Sequence, residues 1–321
     1  MRTPAGFFFV GLKMKYTKPP INIDEQIVLL KRRGMVFANE DAARHALANI
    51  NYYRLRAYWL PFEDTAASKH IFVPSTSFEL VLTHYAFDQR LKLLLMDAIE
   101  RVEISMRTRW AHELALHYGS HAYLDVSLFA NSQRHAKCLQ TLQDEVNRSH
   151  ETFIKHYLET YTEPTLPPIW VVCEVMTLGQ LSQWLDNLKR RTDRQRIALP
   201  FGFDEVVICA FAHHLATVRN LCAHHSRVWN RKFTIRMKLP NLPAGIAKYF
   251  NPGQDRKIYN TLLMLALLLD KVCPDSTWKD QILHLITTMP AGTATVMGFP
   301  SGWEGMSIWA DTSMEVQNDH N

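Results

Sequence analysis

One long stretch without helix breakers constrains this chain more than any other feature. Between Ser77 and Tyr118 there is neither glycine nor proline, the two residues that most destabilise the interior of a helix. Apolar residues recur along this stretch at the three- and four-residue steps of one helix face: Leu91, Leu94, Leu95, Ala98, Ile99, Val102 and Met106. The stretch therefore predicts one long helix or two nearly continuous helices.

The remainder of the chain carries helix patterns as well. It has only 12 glycines among 321 residues, and it lacks the long alternation of apolar and polar residues that is typical of strands. Asp24 is a candidate N-cap for the first helix, and the polar residues 63–74 predict a loop or a short hairpin. The helices predicted outside the long stretch span residues 24–33, 39–50, 132–149, 154–161, 169–191, 204–223, 256–272 and 278–288.

These patterns predict an all-α fold in four segments. Residues 1–14 lie before the first helix signal and are interpreted as disordered or as a mis-annotated start. Residues 15–75 form an N-terminal helical module, and residues 76–290 form a larger helical bundle. Residues 291–321 form a C-terminal tail, rich in glycine, proline and tryptophan before it turns polar, and its end is expected to fray.

The composition is that of a soluble globular protein. Hydrophobic residues make up 47% of the chain and charged residues 21%, and the formal net charge of +5 is compatible with an anionic partner such as RNA. The five cysteines are far apart and never form a CxxC pair, which favours free buried thiols in a reducing cytoplasm. The apolar runs at residues 7–10 and 261–272 are too short to cross a bilayer, so no membrane segment is predicted.

Two motifs have ordinary structural explanations. The segment HELALH, residues 112–117, resembles the helix of zinc proteases, but its histidines are five residues apart, and a five-residue step turns about 140° around a helix. His112 and His117 therefore diverge and are not expected to share a metal ion. The segment NYYRLRAYW, residues 51–59, is interpreted as a packing helix with solvated arginines, in which Arg54 and Arg56 are the candidates for an RNA contact.

The most informative segment is VRNLCAHHSRVWNRKF, residues 218–233. It follows a strongly apolar helix, and a buried helix that ends in many polar groups is costly unless these groups are solvated or used. Arginine matches phosphate with a planar fork of donors, and histidine supplies an acid or a base near neutral pH. These groups suffice to cleave a phosphodiester by attack of the 2′-hydroxyl, so neither a metal ion nor a cofactor is predicted.

Each residue of this cluster has a predicted role. His224 is the candidate general acid or base, with His225 as its rival. Arg219 is expected to bind the phosphate and stabilise its transition-state charge. Asn220 is expected to orient either His224 or Arg219. The candidates for further RNA contacts are Arg227, Asn230 and Arg231.

Other interpretations of the cluster stay open. It could be a purely structural polar helix end. Cys222, His224 and His225 could ligate zinc, although no second cluster at ligand spacing completes a four-ligand site. Arg107 and His112 repeat the bare RxxxxH pattern inside the long helix, which we regard as chance.

The segment RNLCAHHSRVWNR resembles the signature of the Abi family, the abortive-infection proteins of the AbiD and AbiF type. These belong to the HEPN superfamily, whose ribonucleases carry an R-(N/H/D)-x(3–5)-H motif. Four further segments resemble the family in its order: YTKPPINIDEQIVLLKRRGM, INYYRLRAYWLPF, FDQRLKLLLMDAIERVEISMR and PPIWVVCEVMTLGQLSQW. The resemblance covers roughly residues 16 to 310 and begins near Lys15, so residues 1–13 are expected to come from an over-called start codon, with Met14 as the natural first residue.

The resemblance implies a HEPN-like helical bundle, a homodimer and a toxin-like ribonuclease in phage defence. It also implies that Glu100 or Glu103 is an acidic partner near the site, and that a regulatory RNA or an antitoxin is a possible partner. Arg219 and His224 are five residues apart, so a regular helix would separate them by about 140°. Either the helix distorts here or two chains build the pocket. The alternative function is a non-catalytic protein that holds a structured RNA through the same cluster.

Overall fold

The computed structural model describes residue 17, residues 19–66 and residues 70–309. Within these residues the regular structure is thirteen α-helices and several short 3-10 helices, and the only β pairing is three isolated bridges. The prediction of an all-α fold is therefore confirmed. The helices are α1 Ile23–Arg32, α2 Glu40–Asn49, α3 Tyr52–Trp59, α4 Phe78–Tyr118, α5 Ser132–Arg148, α6 Thr152–Thr160, α7 Ile169–Val175, α8 Leu178–Asn187, α9 Arg191–Ala198, α10 Glu205–Ala223, α11 Ile258–Val272, α12 Trp278–Thr287 and α13 Thr293–Val296.

The chain divides into two compact units, residues 1–85 and residues 86–321. In the first unit α1 packs against α2, and Ile27, Leu30, Ala43 and Leu47 are buried. The N-cap of α1 is Asn22, which forms a capping box with Glu25. The prediction of Asp24 as the cap was wrong by two positions, because Asn22 already satisfies the first backbone N–H groups.

The long stretch forms one uninterrupted helix, α4, of 41 residues. Its buried positions follow the spacing seen in the sequence, with Leu91, Leu95, Ala98, Val102 and Met106 almost fully shielded from solvent. Of the two possibilities that the sequence left open, the single helix is the observed one. The first residues of α4 belong to the first unit, and the remainder belongs to the second.

The segment 169–191 forms two helices, α7 and α8, where the sequence predicted one. α7 ends before Met176, and Thr177 begins α8 with a capping box that includes Gln180. The Thr-x-x-Gln pattern satisfies two backbone N–H groups at the helix start and so favours a new helix at this point. The polar helix α9, residues RTDRQRIA, was not predicted, because most of it lacks apolar periodicity.

Helix α10 is the central helix of the second unit. It packs against α8 and α9, and Asp204 caps it by accepting a hydrogen bond from Val207 N at 2.8 Å. By length and composition it is the one helix among the described residues that could cross a membrane, but 56% of that window is buried inside the protein. Buried Glu205 and His214 lie on the same helix, as expected of a core helix with partners for its polar groups.

The first part of the predicted tail is packed. Phe299, Trp303 and Trp309 are buried, and the rings of Tyr259 on α11 and Phe299 lie 4.7 Å apart between centroids. Residues 291–309 therefore add an aromatic cluster to the core of the second unit. The polar end of the tail and the predicted start of the chain, residues 1–14, lie outside the described residues.

Candidate active site at the end of α10

The carboxyl end of α10 stops in a Schellman motif. Ser226 N donates to Leu221 O at 2.8 Å, and His225 N donates to Cys222 O at 3.0 Å. This pair of bonds requires a residue in the left-handed region just after the helix cap, and His225 occupies it with φ of 54°. The distortion that the sequence allowed at this helix end therefore begins at the cap residue His224, whose angles of −87° and 15° lie outside the helical region, and continues at His225.

Arg219 and Asn220 lie in the last turns of α10. Arg219 Nη1 donates a hydrogen bond to Asn220 Oδ1 at 3.3 Å. Arg219 is half-buried, whereas Asn220, His224 and His225 are exposed. The amide of Asn220 therefore contacts the guanidinium that is the candidate phosphate ligand.

The helix geometry places Asn220 and His224 on one face. They are four residues apart, a rotation of about 40°, and His224 N donates to Asn220 O at 3.0 Å as in a regular helix. Arg219 and His224 are separated by about 140° along the same regular backbone. One chain thus presents Asn220 and His224 together, and Arg219 reaches toward that face through Asn220.

The exposed face that carries Asn220 and His224 continues along α10. Val206, His213 and Asn220 are spaced seven residues apart and all three are exposed, which keeps them within one narrow stripe. Most of the other apolar residues of α10 are buried within the chain. The stripe is therefore a solvent-accessible face of an otherwise largely buried helix.

A buried carboxylate anchors the segment after the motif. Asp88 on α4 is fully shielded from solvent, and its Oδ1 accepts hydrogen bonds from Val228 N at 2.9 Å and from Trp229 N at 2.6 Å. Its Oδ2 lies 3.0 Å from Lys92 Nζ. Because Val228 and Trp229 are themselves buried, Asp88 fixes the backbone that carries Arg227, Asn230 and Arg231.

Sequence reasoning missed Asp88, although a signal was present. Asp88, Leu91, Lys92 and Leu95 follow the helical spacing of the buried face of α4, so two charged residues occupy core positions. A charge of this kind in a core is stable only with partners. Residues that break an apolar pattern therefore point to buried polar networks.

Several cations lie close together around Val228 and Trp229, the two residues that Asp88 anchors. Arg231 Nη1 donates to Arg227 O at 3.2 Å, and Lys257 Nζ donates to Asn230 Oδ1 at 2.9 Å. Asn230 adopts a left-handed φ of 49°. Lys257, at the start of α11, was not among the predicted site residues because it is 26 positions from Arg231 in the sequence.

Comparison with known families connects the chain to one group. The family model described as Abi-like protein matches residues 45–230, which is more than half of the chain. The chain belongs to the Abi-like protein family. The match includes Asp88 and the cluster from Arg219 to Asn230, and it ends one residue before Arg231. No curated protein and no solved structure matches the chain.

The two glutamates expected near the site, Glu100 and Glu103, differ in their exposure to solvent. Glu100 is exposed on α4. Glu103 is buried and pairs with Arg107, which also donates to Met176 O. Glu103 thus pairs with the arginine that joins α4 to the turn between α7 and α8, whereas Asp88 is the α4 carboxylate that accepts hydrogen bonds from Val228 N and Trp229 N.

The arginines of the first unit lie on α3. Arg54 is exposed and Arg56 is half-buried. Arg56 lines a pocket of about 550 Å³ together with Arg33, Tyr52 and Tyr53. Arg33 Nη1 donates to Tyr52 Oη at 3.0 Å. The pocket thus places cations beside aromatic rings, the combination that stacks and neutralises single-stranded RNA.

The described residues contain no group of three or more His, Cys, Asp or Glu side chains placed to hold a metal ion. His112 and His117 are both exposed on α4, and His117 Nδ1 lies 2.8 Å from Glu113 O. Cys222 is buried, and burial is the main cause that raises the pKa of its thiol to about 12.

Proposed function

We propose that this Abi-like protein is a metal-independent endoribonuclease of the HEPN type that acts in abortive infection or as a toxin-like effector. The observation that carries the proposal is the hydrogen bond from Arg219 to Asn220 one turn before exposed His224. The three residues combine a cation, an orienting amide and an acid or base. Family membership supports a role related to abortive infection.

The proposed reaction is cleavage by the RNA's own 2′-hydroxyl. His224, or His225 in its place, takes the proton as the 2′-oxygen attacks the phosphorus. Arg219 stabilises the charge of the pentavalent phosphorane, and an imidazolium protonates the departing 5′-oxygen. The products are a 2′,3′-cyclic phosphate and a 5′-hydroxyl, so no water and no metal ion enters this step.

A homodimer would complete this site. Within one chain, Arg219 and His224 lie about 140° apart around the axis of α10. The reaction needs both a base and an acid. Two copies facing each other along the exposed stripe of α10 would bring two such sets together. The proposed enzyme works in the cytoplasm, where its RNA substrates are found, and a regulatory RNA or an antitoxin would hold it inactive.

The test uses purified full-length protein and end-labelled RNA, with and without EDTA. We expect cleavage that is insensitive to EDTA and leaves cyclic phosphate ends. His224→Ala should lower the rate by a factor on the order of a hundred or more, because a positioned acid or base is lost. His112→Ala, which removes an exposed histidine of α4 that lies outside the α10 stripe, is the matched control.

Other results assign other functions. If His225→Ala is inactive while His224→Ala is active, the acid or base moves by one residue and the mechanism stands. If RNA binds and no variant changes its length, the protein is the non-catalytic RNA-binding alternative. Loss of cleavage on adding EDTA would refute the metal-independent mechanism.

A further inference from the structure

A strongly cationic pocket lies next to the segment that follows the motif. It encloses about 340 Å³, and its charged lining residues are Lys232, Arg236, Arg256, Lys257 and Asp255. Four cations thus face one carboxylate. The family match ends at residue 230, so all of these residues lie outside the region that identifies the family.

The backbone holds the two walls of the pocket together. Phe233 N donates to Arg256 O at 2.8 Å, and Met237 N donates to Asp255 O at 2.9 Å. Phe233 and Met237 are buried, which fixes both segments on the core. The cations between them are therefore presented by an ordered scaffold rather than by two independent loops.

The positive charge of the pocket is poorly compensated. Asp255 lies 3.7 Å from Arg236, which offsets one of the four cations. The Nε of Arg256 is shielded from solvent and has no hydrogen-bond partner among the described residues. With four cations and one carboxylate in its lining, the pocket keeps a net positive charge, which favours an anionic ligand.

The pocket is electrostatically continuous with the motif segment. Partial burial lowers the pKa of Lys257, and the nearby charges of Arg227 and Lys232 lower it further. Lys257 also donates to Asn230. A chain of cations therefore runs from Arg227 through Lys257 into the pocket, as a polyanion that passes the motif would require.

We infer that this pocket is a phosphate-binding subsite for the RNA backbone, one that holds a phosphate beside the bond to be cleaved. The inference rests on the proposed function for its choice of RNA over other phosphate compounds. Arg236 and Arg256 offer forked donors that suit a phosphate group, and Lys232 and Lys257 add point charges. The four cations contact phosphate rather than base edges, so the pocket contributes mainly affinity, and Gln254 is the one amide side chain in its lining.

The experiment measures binding to a ligand that cannot be cleaved. A fluorescent 2′-O-methyl oligonucleotide of about 12 nucleotides, a length within the usual site size for single strands, lacks the attacking hydroxyl, so wild-type protein can be titrated by anisotropy. The pocket variant is Lys232→Gln with Arg236→Gln, because both residues are exposed. Lys137→Gln with Lys155→Gln removes the same charge from exposed positions of α5 and α6 and is the matched control.

We expect the pocket variant to bind roughly tenfold more weakly at about 50 mM salt, with a salt dependence shallower by about 0.7 for each phosphate that the protein no longer neutralises. The control should bind nearly as the wild type does, and the melting temperatures of all three proteins should agree. Equal binding by the pocket variant and the control would overturn the inference. The inference would also be overturned if inorganic pyrophosphate raised the melting temperature of the wild-type protein without changing its affinity for the oligonucleotide. The pocket would then hold a free phosphate compound.

The nuclease proposal and the phosphate-subsite proposal can be refuted independently. Binding that depends on the pocket, together with no cleavage of unmodified RNA, supports the subsite and refutes the nuclease. Cleavage with unchanged KM in the pocket variant supports the nuclease and refutes the subsite. Arg236→Lys, which keeps the charge, should retain most of the affinity.

Discussion

Replacing Asp88 by alanine tests whether one buried carboxylate holds the site together. The substitution deprives Val228 N and Trp229 N of their acceptor, and an unsatisfied buried donor costs about 1–3 kcal/mol. It also leaves Lys92, which is 7% exposed, without its partner at 3.0 Å. Breaking a buried ion pair from one side costs about 3–5 kcal/mol.

The cost of the unsatisfied donors and the cost of the broken ion pair are not fully additive, because both come from removing the same side chain. We therefore expect the free energy of unfolding to fall by about 4 kcal/mol. In a unit of this size each kcal/mol lowers the melting temperature by about 2–4 °C, which gives a fall of roughly 10 °C. Asp88→Ala combined with Lys92→Met removes the orphaned charge and should recover about half of that loss. Cleavage of RNA should also fall at temperatures where the variant is folded, since the segment 227–231 loses its anchor.

The assay is thermal melting followed by circular dichroism, with RNA cleavage measured in parallel. Asp97→Ala is the control, because Asp97 lies on the same helix in a half-exposed pair with Arg101, and such surface pairs contribute less than about 1 kcal/mol. If Asp88→Ala and Asp97→Ala melted within about 2 °C of each other, the carboxylate would not have the anchoring role given to it here.

Four further predictions concern the site and the core. Arg219→Ala should reduce both RNA binding and cleavage, and Arg219→Lys should restore binding better than cleavage, because lysine keeps the charge and loses the fork; anisotropy and rate measurements separate the two effects. Burial is the main cause that lowers the pKa of His214 from 6.5 to about 4. The unfolded chain therefore binds an extra proton between these pH values, and denaturant melts should show stability falling by up to roughly 3 kcal/mol as the pH drops through this window. His214→Gln should flatten that dependence. Light scattering should show a dimer at micromolar concentration, and an active monomer would contradict it. Deleting residues 1–13 should leave the melting temperature and the activity nearly unchanged, whereas a fall of several degrees would mean that they pack on the core.

The sequence predicts helices well where local signals agree with packing. α4 is recognisable because breakers are absent and apolar residues follow one face, and α10 because Asp204 caps an apolar run. α9 is different, since its stability comes from a side-chain network. Asp193 is almost fully buried and accepts hydrogen bonds from Tyr118 at 2.8 Å and from Arg196. Tyr118 is 75 positions away from Asp193, and no local pattern predicts such a contact.

The candidate site divides in the same way. Arg219, Asn220 and His224 are close in the sequence, so their composition alone marks them as a cluster. The anchor Asp88 and the cation Lys257 come from distant helices, and only the fold brings them to the segment after the motif. Family resemblance could name Glu103 as an acidic partner, but its partner Arg107 also donates to Met176 O, a contact that depends on how α4 meets the turn after α7.

The left-handed conformation of His225 sets stability against chemistry at one position. Glycine is the usual residue at this point of a helix end, and a side chain there costs about 1 kcal/mol. His225→Gly would therefore relax the backbone and remove an exposed imidazole in a single change. Populations of this protein selected only for heat resistance should drift toward glycine or asparagine at this position. Retention of histidine when activity is selected together with heat resistance would show that the imidazole is needed for that activity.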